Sequence, residues 1–551
     1  MLYMRDISIL DCTLRDGGRI IDCAFPDNHI KDISTRLTDC HIDIIEVGFL
    51  RDKIEYSGNS TFFTDVNQIR PFVNRKQKNT LYVAFVDYGM FDFSTLKPYD
   101  GSSIDGLRVG FVKDDFLNHR QEIRECLLLV KNLGYKLFIQ GVNSLGYSEA
   151  EYLDLITLVN DIQPYSFGLV DTYGAMYVGD VKRYFHLLDQ HLDSAISIDF
   201  HSHNNFQLSF SFAQEMIRLC ENKRHLIIDA TLNGMGKGAG NLCTELIVDF
   251  LNRIHNYTYD LDGIFDIIDD YMYNIKKDNG WGYSIPSLMS GIYKSHPNNV
   301  IYLTEKYRLA TKDIKYILSM LDEKKRQRYD YDNLHRLYLE YNHTKVNDKL
   351  AVQSLTNLFA DENLLILAPG YSLLENSNLI KSYVMENNPY IVSVNFVSTL
   401  GSPSRRIAFF GSEKRYMRFS QERTGENVII VSNIVSDTYE DYVVNYEGLI
   451  HRENAHGDNT MIMLLNLLRK IGITSMSIAG YDGFSQILKN NYFDSASFED
   501  GRFEKDYDSI NADVRVMLKK YAAGLINPSA IKFLTPSLYA DIFLESTNEG
   551  D

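Results

Sequence analysis

The sequence predicts two α/β folds in series: a closed (β/α)8 barrel, then a smaller Rossmann-like domain. Three observations carry that expectation. Short apolar runs of strand length recur through the first half, most of them rich in β-branched or aromatic residues. Segments whose apolar residues follow a helical period separate them. After a stretch from about residue 298 to 362 with neither Gly nor Pro, the alternation begins again. Near-continuous apolar strands alternating with helices imply a parallel sheet covered on both faces. About eight such units in under 250 residues fit a closed barrel better than an open doubly wound sheet.

In chain order the eight runs are ISILDCTL, IDIIEVGF, TLYVAFVD, GLRVGFV, KLFIQGVN, YSFGLVDT, SAISIDFHSH and HLIIDATL. HRQEIRECLLLVKNLG is a typical intervening helix, with Gly134 as its C-terminal stop. A barrel of this kind demands that chemistry sit where strands end. Asp16 follows the first strand, and polar residues close others: Glu46 in the second, Asn143 in the fifth and Asp171 in the sixth. HSHNN ends the seventh strand and NGMGKGAGN follows the eighth.

His201 and His203 are two residues apart in extended chain, so their side chains share a face. With Asp16 from another strand they can hold a divalent cation. Mixed nitrogen and oxygen ligands suit Mn2+, Zn2+, Fe2+ or Mg2+, and the ligand types do not rank them; the expectation is Mn2+ or Mg2+, with Zn2+, Co2+ and Fe2+ as alternatives. A pair of histidines hydrogen-bonded in a polar rim gives the same H-x-H spacing. Asp16 and the glycine loop after the eighth strand tip the reading toward a metal. The string GMGKGAG also superficially matches a dinucleotide fingerprint. As the eighth barrel unit it reads instead as a close-approach loop whose N–H groups face an anion.

A chain of 551 residues exceeds one ordinary core. The expected divisions are a barrel at 1–300, a helical connector at 301–362 and a Rossmann-like domain at 363–551. Hydrophobic residues at 45% and charged residues at 23% are ordinary for a soluble globular protein. A net charge of −17 argues against non-specific nucleic-acid binding, while local basic patches leave anionic small molecules open. The six cysteines form no C-x-x-C pair and read as reduced cytosolic thiols. The N-terminus enters a strand without a signal-peptide pattern, and no run approaches the roughly 18 apolar residues of a membrane span. The expectation is a cytoplasmic protein with no membrane partner, compatible with a homo-oligomer.

DCTLRDGG, IIEVGF, LVDTYGAM, DFHSHNNFQL and GMGKGAGNLCTE occur in the order seen in the DRE-TIM metallolyase superfamily, which the chain resembles over roughly residues 5 to 300. Within it the chain is most similar to the aldolase domain of 4-hydroxy-2-oxovalerate aldolases, including GWGYSIPSLMSGIYKSHP after the barrel. Hydroxymethylglutaryl-CoA lyases and isopropylmalate-type synthases are more distant. The resemblance implies Asp16, His201 and His203 as metal ligands, with Asn241 as a further ligand or neighbour. It implies Arg15 as the residue that steadies an enolate and Glu46 as the group orienting Arg15 or a metal-bound water. Gly17 and Gly18 would let the backbone turn and leave room for substrate, with Asp171 at the substrate's side. The implied chemistry joins or splits a 2-oxo acid such as pyruvate and an aldehyde. In those aldolases a histidine soon after the R-D-G motif handles a proton; here the neighbourhood reads Gly17-Gly18-Arg19, and His29 is well downstream. The acid-base partner is therefore unassigned, with Tyr283 as a candidate. Arg19 and Lys237 are candidates to bind a phosphate or carboxylate.

The second domain begins at NLLILAPGYSLL and continues through YIVSVNF, RIAFFGS, NVIIVSN, the helix NTMIMLLNLLRKIG and SMSIAGYDG. It resembles the MptE-like pyrophosphokinase fold and some sialyltransferases through VNF and AGYDGF. That resemblance implies a nucleotide, nucleotide-sugar or phosphosugar ligand near Gly370, Ser372, Asn395 and Asp482. The tail ESTNEGD is expected to fray. The leading functional expectation is a metal-dependent aldolase or lyase fused to a nucleotide-ligand domain, bifunctional if both halves act. The alternatives are a Claisen-type acyl-CoA-dependent synthase and a non-catalytic barrel scaffold.

Overall fold

Each of the eight apolar runs forms a strand of one closed, wholly parallel barrel. In chain order the strands are β1 (Ile7–Asp11), β2 (Ile44–Leu50), β3 (Phe62–Phe63), β4 (Leu81–Asp87), β5 (Gly106–Val112), β6 (Lys136–Val142), β7 (Ser166–Asp171), β8 (Ser197–Ser202) and β9 (Leu226–Ala230). The ring runs β1-β9-β8-β7-β6-β5-β4-β2 and closes by pairing β1 with β2. The short β3 is an addition beside the end of β2, with Phe49 opposite Phe62. The structure is a computed structural model that describes residues 6–53, 56, 58–74, 79–221, 224–307, 311–342, 346–419, 427–434, 442–451, 454, 457–485, 491–493 and 507–544. The tail ESTNEGD lies outside the described residues.

Strands β2, β7, β8 and β9 are buried along their full length, as expected where helices cover the outside of a parallel sheet and side chains fill its inside. Leu10, Ile44, Val83, Phe138 and Ile227 cluster although their strands are not all neighbours, so these side chains meet within the cylinder. The helix Arg120–Asn132 turns its buried Ile123, Leu127 and Val130 inward. It stops where expected, at Gly134 with φ 92°, a left-handed conformation that a side chain would strain. The helix Glu149–Ile162 starts on a capping box, with the Ser148 hydroxyl accepting from Glu151 N–H and the Glu151 carboxylate accepting from Ser148 N–H.

The chain divides into two compact units, Met1–Leu334 and His335–Asp551. Helices Pro297–Tyr307, Thr311–Met320 and Glu323–Gln327 of the expected connector thus fall within the barrel unit, while Lys349–Phe359 falls within the second.

The second unit holds a seven-stranded parallel sheet of β10 (Leu364–Leu367), β11 (Tyr390–Val394), β12 (Arg406–Phe410), β13 (Asn427–Val431), β14 (Tyr442–Val444), β15 (Met476–Ala479) and β16 (Ile531–Phe533). Its order is β14-β13-β12-β11-β10-β15-β16. The chain therefore builds outward on one side of β10 and then on the other, which puts a crevice at the C-terminal ends of β10 and β15. The five strands expected here are present; β14 and β16, three residues each, extend the sheet at its edges. Among the described residues no helix is long and apolar enough to cross a membrane.

Candidate active site

The C-terminal rim of the barrel brings together residues from three strand ends. Asp16 follows β1, His201 lies within β8 and His203 just beyond it, and Asn241 closes the glycine loop after β9. Ligand atoms of Asp16, His201 and His203 lie within 4.8 Å of one another. Asp16 Oδ2 is 3.1 Å from His203 Nε2, 3.8 Å from His201 Nε2 and 3.0 Å from Asn241 Nδ2. The other ring nitrogens are fixed by outer partners. His201 Nδ1 bonds Asp229 Oδ2 at 2.8 Å, and His203 Nδ1 donates to the Asp171 carbonyl at 3.1 Å. Such bonds place a proton on each Nδ1, so that each Nε2 would turn its lone pair to a cation bound beside Asp16.

These residues fit a divalent cation. Two imidazole nitrogens and one carboxylate converge, and Asn241 Oδ1 is buried with no hydrogen-bond partner among the described residues. Burial pushes His201 down to about 3, so its imidazole is neutral, as a ligand must be. Burial opposes ionisation of Asp16, yet Arg15 and His203 outweigh it and hold the carboxyl well below the usual carboxylate range.

Arg15 is clamped. Its Nε donates to Glu46 Oε2 at 2.6 Å, its Nη1 to Asp16 Oδ1 at 2.7 Å, and its guanidinium lies 4.5 Å from the centre of the Phe85 ring. Glu46 in turn accepts from Arg108 Nη1 at 3.1 Å. Arg108 spans the barrel interior to Asp199 at 3.1 Å and Asp229 at 2.5 Å, and Gln140 donates to Asp199 at 2.6 Å. A chain of bonds therefore runs from Arg15 through Glu46, Arg108 and Asp229 to His201.

A cavity of about 250 Å³ stands on this floor, and Arg15, Asp16, Arg19, His201, His203 and Lys237 all line it. Other candidates lie elsewhere. Tyr283 is 58% exposed and is not in the lining. Asp171 turns its carboxylate to the N–H groups of Ala175 and Met176, and acts on the site through the carbonyl that holds His203. Gly17 and Gly18 pack toward Met235 and Phe25 rather than the cavity; a Cβ on Gly18 would come within 2.9 Å of the Phe25 ring.

Sequence reasoning missed Arg108, Asp199, Asp229, Gln140 and His296. For the first three a signal existed: a charge inside an otherwise apolar buried strand demands partners. His296 lines the cavity from the segment after the barrel. Its Nδ1 accepts from Asn298 N–H at 3.2 Å, which leaves the proton on Nε2, and burial holds the ring down at about 4, with Lys237 and Arg19 adding to the effect.

In the second unit, Gly370, Ser372 and Asp482 meet at the β10/β15 crevice. Asp482 accepts from Ser372 N–H at 2.7 Å and from its hydroxyl, so the donors that would face a phosphate are engaged. Asn395 lies apart from them and ties the end of β11 to Thr460 and to Gly411 N–H.

Residues 107–269 match the HMGL-like family. A 4-hydroxy-2-oxovalerate aldolase of Thermomicrobium roseum is 36% identical over 257 residues, 45% of this chain and 67% of that protein. This chain belongs to the HMGL-like (DRE-TIM) family. The chain is also similar to an oxaloacetate decarboxylase of Mycobacterium tuberculosis, 25% identical over 264 residues (48% of this chain, 75% of that protein). A 4-hydroxy-2-oxovalerate aldolase of Geobacillus stearothermophilus is 22% identical over 333 residues (57% and 90%). Homologues with these names support a lyase or aldolase type of function for the HMGL-like barrel.

Proposed function

We propose that the barrel makes or breaks a carbon–carbon bond beside the keto group of pyruvate or a related 2-oxo acid, through its enolate. The observation that carries this reading is the convergence of Asp16, His201 and His203 beside the clamped Arg15, all lining one cavity. The relatives' names fit the same chemistry, because loss of CO2 from oxaloacetate and retro-aldol cleavage of 4-hydroxy-2-oxovalerate both leave the enolate of pyruvate. Asp16, His201 and His203, with Asn241 beside them, would hold a divalent cation that would act as the Lewis acid for the keto oxygen.

The chain's own residues do the rest. Arg15, its direction set by Glu46 and Asp16, offers a fixed positive charge where negative charge develops. Phe85 beneath it excludes water from that face. His296, neutral with its proton on Nε2, lines the cavity and is the group we assign to donate a hydrogen bond to the leaving or newly formed oxygen as negative charge develops there. For the second unit, the β10/β15 crevice supports a ligand site only with movement of Asp482 away from Ser372.

Deuterium uptake tests the reading. Wild-type protein loaded with Mn2+ in D2O is expected to exchange the methyl protons of pyruvate, followed by mass spectrometry, and EDTA or Asp16→Asn should stop it. No exchange with any of Mn2+, Mg2+, Zn2+, Co2+ or Fe2+ overturns the reading and leaves the scaffold alternative. Thiol release from acetyl-CoA with a 2-oxo acid, without any aldol product, replaces it by the Claisen-type synthase.

A further inference from the structure

A second chamber of about 390 Å³ adjoins the first, within the range of about 300–1,000 Å³ common for ligand pockets. Arg19, Lys237 and Pro297 line both, so they form the passage between them. The chamber lies between the turn after Asp16, the glycine loop after β9, and the helices Ile285–Ile292 and Pro297–Tyr307. Its walls offer hydroxyls from Ser284, Ser287 and Thr304 and amides from Asn279 and Asn298, with Asp22 as the one carboxylate in the lining.

The two cations at the passage are poorly compensated. Arg19 is 3.5 Å from Asp16 and 3.9 Å from Asp87, and each of those carboxylates has a closer arginine, Arg15 at 2.7 Å and Arg51 at 2.8 Å. Lys237 Nζ meets a neutral acceptor, Asn298 Oδ1, at 3.5 Å. Burial and the charge of Arg19 hold the Lys237 amine below its ordinary range, which is the mark of a cation lacking an anion. A hydroxyl-lined chamber behind paired cations suits a polar chain ending in phosphate or carboxylate.

We propose that the second substrate of this site is an anionic, hydroxylated aldehyde. Its carbonyl faces Arg15 and the Asp16–His201–His203 cluster, Arg19 and Lys237 hold its phosphate or carboxylate, and the hydroxyls and amides of the chamber meet the polar oxygens of that end. The inference rests on the enolate reading above. The step is redox neutral: the pyruvate methyl carbon loses a proton and bonds the aldehyde carbon, while the aldehyde oxygen takes up a proton.

The full-length protein with Mn2+ and pyruvate is offered D-glyceraldehyde, D-glyceraldehyde 3-phosphate and succinic semialdehyde. A charged acceptor should exceed neutral glyceraldehyde in kcat/KM by about tenfold or more, and the phosphorylated and carboxylated arms separate the two anion types. Lys237→Met should cut that preference about tenfold to a hundredfold, and Lys237→Arg should recover most of it. Pyruvate exchange with equal use of charged and neutral acceptors, or an unchanged preference in Lys237→Met, overturns the inference while the enolate reading stands. Without exchange the enolate reading fails, and calorimetry decides the anion site alone. Glycerol 3-phosphate should then bind the wild type more tightly than glycerol does and lose that advantage in Lys237→Met; equal binding overturns the site.

Discussion

Arg108 bonds Glu46, Asp199 and Asp229 from a fully buried position; Arg15 shares Glu46, His201 shares Asp229, and burial pushes Asp199 up to about 7. Removing one member of a buried ionic cluster strands the others. Arg108→Met should therefore cost about 3–5 kcal/mol in urea unfolding, and a loss under about 1 kcal/mol would contradict the account. Asp11 behaves differently. Burial pushes it up from 3.8 to about 6, against the opposing bonds from Thr244 and Thr13. The folded protein thus keeps a proton that the unfolded chain releases at lower pH. This contribution to stability is present below about pH 4 and is lost as pH rises through about 6, roughly 3 kcal/mol in all. Relative to Asp11→Asn, the wild type should lose that amount between pH 4 and pH 7.5 in paired unfolding curves; parallel pH profiles would show the proton is not held. His296→Phe, which removes the hydrogen-bond donor, should lower turnover by about 10²–10³-fold while Mn2+ binding persists. The Arg108 and Asp11 effects were not legible in the sequence as magnitudes, because GLRVGFV and ISILD name the charge but not what faces it.

At the scale of elements, the glycine loop after β9 decides whether Asn241 and Lys237 face the rim. Gly240 has φ 80°, and a Cβ there would lie 2.0 Å from the Gly234 carbonyl. Gly240 N–H bonds the Lys237 carbonyl and its own carbonyl accepts from Asn204 N–H, so the loop is tied to the strand end that carries the histidines. Gly240→Ala should weaken Mn2+ affinity, read by the EPR signal of free Mn2+, with the barrel still folded by circular dichroism. Unchanged affinity would mean that the loop does not position the ligands. The eight long strands and their helices were legible because five to seven apolar residues in extended chain leave a pattern. The two- and three-residue strands β3, β14 and β16 leave none and form only where an existing edge pairs with them.

For the whole molecule, each unit has its own sheet and its own buried core. A cation that binds only the folded barrel stabilises only the unit that holds it, by about 2.7 kcal/mol at a hundredfold excess over Kd. Scanning calorimetry should show two transitions, of which Mn2+ raises one and leaves the other in place. A single transition shifted as a whole would mean that the units unfold together.

The sequence by itself determined the alternation of strands and helices, the closure expected of eight units, and the trio of Asp16, His201 and His203 as candidates at the rim. Apolar runs, helical spacing and an H-x-H pair are local features, and the trio's place at strand ends follows from the fold they specify. Only the tertiary structure decided what surrounds that trio. It joined Arg108 to Asp229 across 121 residues and His203 to Asp16 across 187. It brought His296 over the rim in place of Tyr283, and turned the Asp171 carboxylate toward backbone N–H groups. Those outcomes depend on strand register and on how a later segment folds back over the barrel mouth, and no local period records either.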